Sequence, residues 1–238
     1  MSDSITAPAL VRAIAAALAP LADPARAPPM AAYMRDRFAF LGIAMPARRN
    51  AVRAVMRDAK ARADEAALLT AAQALWRKRG REYQYVAVDM LAACERALSP
   101  RALPVLATLV TTNSWWDTVD GLAANVVGPL VRRNPEGLRT LDAWCGDDNP
   151  WLRRAALLHQ LRYGSATDAK RLFAYCVANA ADPDFFVRKA IGCALRQYAY
   201  TDAPAVRSFL EADRQRLSPL SLREAGKHLS MTTKRESR

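Results

Sequence analysis

Apolar positions recur at i, i+3 and i+4 along almost the whole chain, the spacing that lines one face of a helix. These runs predict helices over 7–20, 29–41, 46–59, 65–77, 82–97 and 101–111. A second series covers 115–124, 126–133, 135–145, 149–163, 168–180, 184–200, 203–213 and 218–230. Breakers punctuate the runs, among them Pro28-Pro29, Gly42, Pro46, Gly80, Ser99-Pro100, Asn134-Pro135, Gly146 and Ser218-Pro219. No period-2 alternation competes with them, so the expected fold class is all-α.

Short helices joined by short turns invite a search for an internal period. Asn149-Pro150-Trp151-Leu152-Arg153-Arg154-Ala155 aligns with Asp184-Phe185-Phe186-Val187-Arg188-Lys189-Ala190, 35 residues later. Trp115 stands 36 residues before Trp151, and Tyr83 stands 32 before Trp115. A helix pair of this length cannot bury its apolar face alone, so copies are expected to stack into a HEAT-like helical repeat solenoid with a concave face. The competing expectation is a globular helical bundle with coincidental similarities. One domain is expected over 1–231, with a disordered tail over 232–238.

Composition supports helix: alanine is abundant and only nine glycines occur. Charge adds a partner. Thirty-five Lys and Arg stand against 23 Asp and Glu, a net charge of +12. Such an excess serves either a polyanion or a solvated surface, and most of the cations are arginines, which suit phosphate. No apolar run is long enough to span a bilayer and no basic stretch precedes the N-terminal apolar residues, so the reading is cytoplasmic, with no membrane partner. Cys94, Cys145, Cys176 and Cys193 form no C-x-x-C, and His159 and His228 have no second ligand at metal spacing. The cysteines read as small buried thiols and no metal is expected.

Familiar catalytic signatures such as H-E-x-x-H, G-x-S-x-G or a Walker loop are absent, which leaves carboxylates, arginines and aromatics to carry any chemistry. They concentrate in Ser114-Trp115-Trp116-Asp117-Thr118-Val119-Asp120. Trp116 and Asp120 are i and i+4, so an indole and a carboxylate share a helix face. Structurally, Asp117 or Asp120 could instead pair with an arginine of the next repeat and lock the stack. Lys189, Cys193 and Arg196 also share a face. Together with Arg154 and Arg188 they make either a solvated ridge of ion pairs or a row of cations spaced for a phosphate backbone. Tyr33 alone reads as a core tyrosine, and Arg48 and Arg49 follow Pro46 at a helix start.

Taken together, five stretches resemble the AlkD-like family of bacterial DNA alkylation repair glycosylases, built from HEAT-like repeats. They are Met30–Arg49, Ser114–Asp120, Asn149–Ala156, Phe185–Ala199 and Leu217–His228, in order and at compatible spacing. The resemblance implies hydrolysis of the N-glycosidic bond of cationic N3- or N7-alkylated purines, such as 3-methyladenine and 7-methylguanine. It implies duplex DNA as partner, no cofactor, and a lesion that stays stacked rather than flipping out; a monomer is expected because the concave face must stay open to a duplex. Carried over residue by residue, it places the catalytic carboxylate on Asp120, the key tryptophan on Trp116 and the cleft tyrosine on Tyr33. It places phosphate-contacting arginines on Arg154 and Arg196. Arg48, Arg188 and Lys189 are further expected DNA contacts. The family's second cleft tryptophan falls on Cys193, a departure that removes one wall of the aromatic cradle. The rival expectation is a non-catalytic DNA-binding scaffold that senses distorted or alkylated DNA. Trp115 is then the core aromatic of its repeat, equivalent to Trp151 and Phe186.

Overall fold

The structure, a computed structural model, describes residues 4–232. Every regular element among them is helical. The chain divides into two compact units, one ending at Val105 and one beginning at Leu106.

In the first unit, α1 (Ala7–Leu18) buries Leu10, Ile14 and Leu18 on one face, against α4 (Arg53–Arg62) and α5 (Glu65–Trp76). α6 (Arg81–Ala93) packs on α5 and α4, and α3 (Met45–Ala51) on α6. The helix expected over 29–41 is displaced and cut short: α2 runs from Ala27 to Tyr33, and 34–44 is irregular. A distant carboxylate explains the loss. Glu82, fully buried on α6, accepts the backbone N–H groups of Leu41 (2.8 Å), Gly42 (2.9 Å) and Ile43 (3.1 Å). Those amides are satisfied outside any helix, which lets the segment stay buried without a helical ladder. Gly42 is required there: its φ is +83°, and an added Cβ would lie 2.0 Å from the carbonyl oxygen of Asp23. Beside it Arg81, also buried, stacks its guanidinium 3.8 Å over the Phe38 ring.

The second unit holds the repeats. After α7 (Leu103–Thr111) comes α8 (Trp116–Leu122), which passes through a π-helical turn at Ala123–Val127 into α9 (Gly128–Arg133). The two helices expected over 115–124 and 126–133 are therefore one continuous rod. There follow α10 (Leu138–Cys145), α11 (Pro150–Leu158), α12 (Ala169–Ala178), α13 (Phe185–Ala199), α14 (Ala203–Ala212) and α15 (Pro219–Thr232). The helix expected over 149–163 stops at Leu158. Thr232, assigned to the tail, ends α15, and 233–238 lie outside the described residues.

The 35-residue period is visible bond by bond. Asn149 and Asp184 cap α11 and α13 by accepting from Trp151 N–H (2.9 Å) and Phe186 N–H (2.7 Å). Arg153 donates to the Asp147 carbonyl (2.6 Å), and Arg188, its counterpart, to the Asp182 carbonyl (2.5 Å). Within the unit α8 packs on α11, α11 on α13 and α13 on α15, a row of successive helices. That is the packing of a helical repeat solenoid.

Replacing Glu82 by Gln should unseat residues 34–44, because a carboxamide supplies one acceptor oxygen where three N–H groups now converge. The expected loss is about 2–3 kcal/mol in urea unfolding, with accelerated amide exchange at Leu41 and Ile43.

Candidate active site

Trp115 and Trp116 separate at the first turn of α8. Trp115 is the extended residue before the helix and is buried, its ring 5.8 Å from Trp151 and 4.7 Å from Phe186. Trp116, the first helical residue, is half-buried. Asp120 follows one turn later on the same helix, its side chain 33% exposed.

The carboxylate of Asp120 is held in a fork. Arg154 of α11 donates Nε to Oδ1 and Nη2 to Oδ2, both at 2.7 Å. Its Nη1 donates to the Phe186 carbonyl at the start of α13 (2.5 Å). This planar bidentate geometry fixes the carboxylate in position and leaves its outer third open to solvent. Burial pushes the Asp120 carboxyl above the ordinary aspartate range, and the Arg154 guanidinium pulls the other way.

Two of the expected DNA contacts are engaged in ion pairs. Arg154 is only 3% exposed, and its fork faces Asp120. It is the arginine of the next repeat that locks the stack, the structural alternative weighed for Asp120. Arg48 is also buried: it pairs with Asp89 at 3.3 Å and lies 4.7 Å over the Tyr85 ring. Its neighbour Arg49 shares Asp89 at 2.8 Å and stays 57% exposed. Tyr33 is no core residue: it ends α2 with 72% exposure.

The remaining cations lie on α13. Arg188 is half-buried and tied to its own helix start. Arg196 donates to Glu224 Oε2 at 2.6 Å and to the Cys193 sulfur at 3.4 Å. Lys189 reaches Glu224 Oε1 at 3.6 Å. Cys193, half-buried, sits against Arg196. Glu224 and its third cation, Lys227 (2.6 Å), were not singled out by the sequence reading; an acid inside the basic stretch Arg223–Lys227 was the available signal. Their carboxylate is held down to about 2 by Lys227 and Arg196.

His159 is a core residue. It is buried, its Nδ1 lies 2.6 Å from the Ala156 carbonyl, and burial pushes the imidazole down to about 4. Cys94, Cys145 and Cys176 are buried free thiols. Among the described residues no group of three or more His, Cys, Asp or Glu is placed to hold a metal ion, and no helix is long and apolar enough to cross a membrane.

Fold and site together define a helical-repeat protein that presents a pinned carboxylate one turn after a half-buried tryptophan on the same helix. Residues 14–229 match the family described as DNA alkylation repair enzyme, and the chain belongs to that family. A solved structure described as a "Predicted DNA alkylation repair enzyme from Enterococcus faecalis" is similar at 31% identity and a TM-score of 0.81, covering 87% of this chain and 96% of that one. No functionally curated protein matches. Membership in the family makes the chain a DNA alkylation repair protein, with DNA as its partner.

Substituting Arg154 by Gln should leave Asp120 half-desolvated and uncompensated. The expected loss is about 2–4 kcal/mol in thermal or urea unfolding, below that of a fully buried pair because Asp120 keeps contact with water.

Proposed function

We propose that the protein is a DNA glycosylase that releases cationic N3- or N7-alkylated purines from duplex DNA. The observation that carries this reading is the Asp120–Arg154 fork on the helix that begins with Trp116. An alkylated purine already bears a positive charge, so it departs as a neutral base when the C1′–N bond breaks and takes the bonding pair. No general acid has to protonate it, unlike the acid–carboxylate pair of ordinary glycosidases. Positive charge develops instead on the sugar. A carboxylate fixed in advance stabilises it and can orient the water whose oxygen bonds to C1′.

In this reading Arg154 aims Asp120. Trp116 contacts the sugar or the cation through its aromatic face, and Tyr33 is a further DNA contact. Arg188, Lys189 and Arg196 contact the DNA backbone. The lesion stays stacked, which suits a carboxylate at a helix surface better than a deep base pocket. Cys193, in the position of the family's second cleft aromatic, gives the rival reading of a non-cleaving scaffold its one support.

Duplex DNA carrying N7-methylguanine separates the two. Wild type should release base above the spontaneous rate, and Asp120→Asn should lower the single-turnover rate by about 100-fold or more, since one preorganised electrostatic contact is typically worth that much. Binding without release would establish the scaffold, and release untouched by Asp120→Asn would reassign the carboxylate.

The pH profile should carry the imprint of burial. Asp120 works ionised, and burial raises its protonation midpoint above the ordinary value of 3.8. The acid limb of the rate, after subtraction of spontaneous depurination, is expected above 3.8.

A further inference from the structure

The C-terminal stretch Leu217–His228 resembles the family sequence and lies outside the Asp120–Arg154 fork. Its centre is Glu224 on α15, only 6% exposed at the side chain and surrounded by three cations. Oε2 accepts from Arg196 at 2.6 Å, while Oε1 takes Lys227 at 2.6 Å and Lys189 at 3.6 Å. The Glu224 backbone carbonyl receives Arg196 as well, at 3.3 Å. One carboxylate against three cations leaves two positive charges in excess. Their side chains remain partly exposed: Lys227 is 53% exposed, Lys189 38% and Arg196 29%.

The helices are built to bring that carboxylate in. Gly192 lets α15 lie against α13; an added Cβ there would stand 2.4 Å from the Glu224 Cβ and 2.9 Å from the Ser221 carbonyl oxygen. Ser221 also donates its hydroxyl to the Arg188 carbonyl at 2.9 Å, which ties the two helices in register. An acid buried among cations on a surface meant for DNA would be a liability if only the summed charge mattered. It becomes useful if the geometry of the cations matters, because a shared carboxylate removes the rotamer freedom of long side chains before the polyanion arrives.

We infer that Glu224 is a positioning residue that fixes Arg196, Lys189 and Lys227 as a preformed platform for DNA phosphodiesters, and that Lys227 is a further DNA-contacting residue. This rests on the DNA-binding side of the proposed function and is independent of the chemistry at Asp120.

The test is binding of undamaged duplex DNA across a salt series, with wild type, Glu224→Gln and Lys227→Met. Glu224→Gln adds one positive charge to the protein. Diffuse electrostatics therefore predicts tighter binding, whereas a positioned platform predicts weaker binding, by about five-fold, with a shallower dependence of log K on log salt. Lys227→Met should flatten that slope by ~0.9, the value of one phosphate contact. Its side chain is more than half exposed, so it decides the matter even if Glu224→Gln does not fold. Equal or tighter binding by Glu224→Gln, or an unchanged slope in Lys227→Met, overturns the inference while wild-type binding stands. If wild type itself shows no salt-dependent binding, the DNA-binding reading falls and the inference falls with it. Base release from methylated duplex, measured separately, leaves the two failures distinguishable.

Discussion

An arginine side chain that is 97% withdrawn from solvent needs partners, and those of Arg154 come from two other helices. Its fork holds Asp120 of α8, its third nitrogen holds the start of α13, and its own Cα belongs to α11. Breaking such an arrangement strands charge in a low-dielectric setting, so the three helices are constrained to move together. The site carboxylate is thus also a structural element of the repeat stack. The locking role weighed for Asp120 is present in the structure, on the residue that the proposed chemistry also uses.

The same device recurs with the signs exchanged. Around Arg154 a buried cation orients a partly exposed carboxylate; around Glu224 a buried carboxylate orients partly exposed cations. In both places the buried partner is the shorter route to precision, since a charge fixed by a salt bridge needs no reordering when an opposite charge approaches. The protein's basic balance of +12 supplies attraction, and these buried partners give it direction.

Much of this was legible in one dimension, and the limits have identifiable causes. Helical periodicity and the 35-residue echo from Trp151 to Phe186 predicted the class of fold, and matching caps at Asn149 and Asp184 reproduce the echo in hydrogen bonds. The helix expected over 29–41 failed because Glu82, some forty residues away, satisfies the amides of Leu41, Gly42 and Ile43; local propensity holds no trace of such a partner. The ion-pair partners of Arg48 and Arg154 were hidden for a related reason. Sequence places an arginine on a helix but does not say whether an aspartate waits opposite, as Asp89 and Asp120 do. Trp116 and Asp120, by contrast, fall on one helix, as their spacing predicts.

The knot formed by Trp115, Trp151 and Phe186 has a thermodynamic corollary. Each ring begins a different repeat, and Trp115 reaches Phe186 at 4.7 Å across the intervening one, whose Trp151 lies 5.0 Å from the same phenyl ring. Simple repeat arrays couple only to nearest neighbours and can fray from an end, one unit at a time. Here coupling skips a unit, so the helices that carry Asp120, Arg154 and Arg196 melt as one cooperative block or not at all.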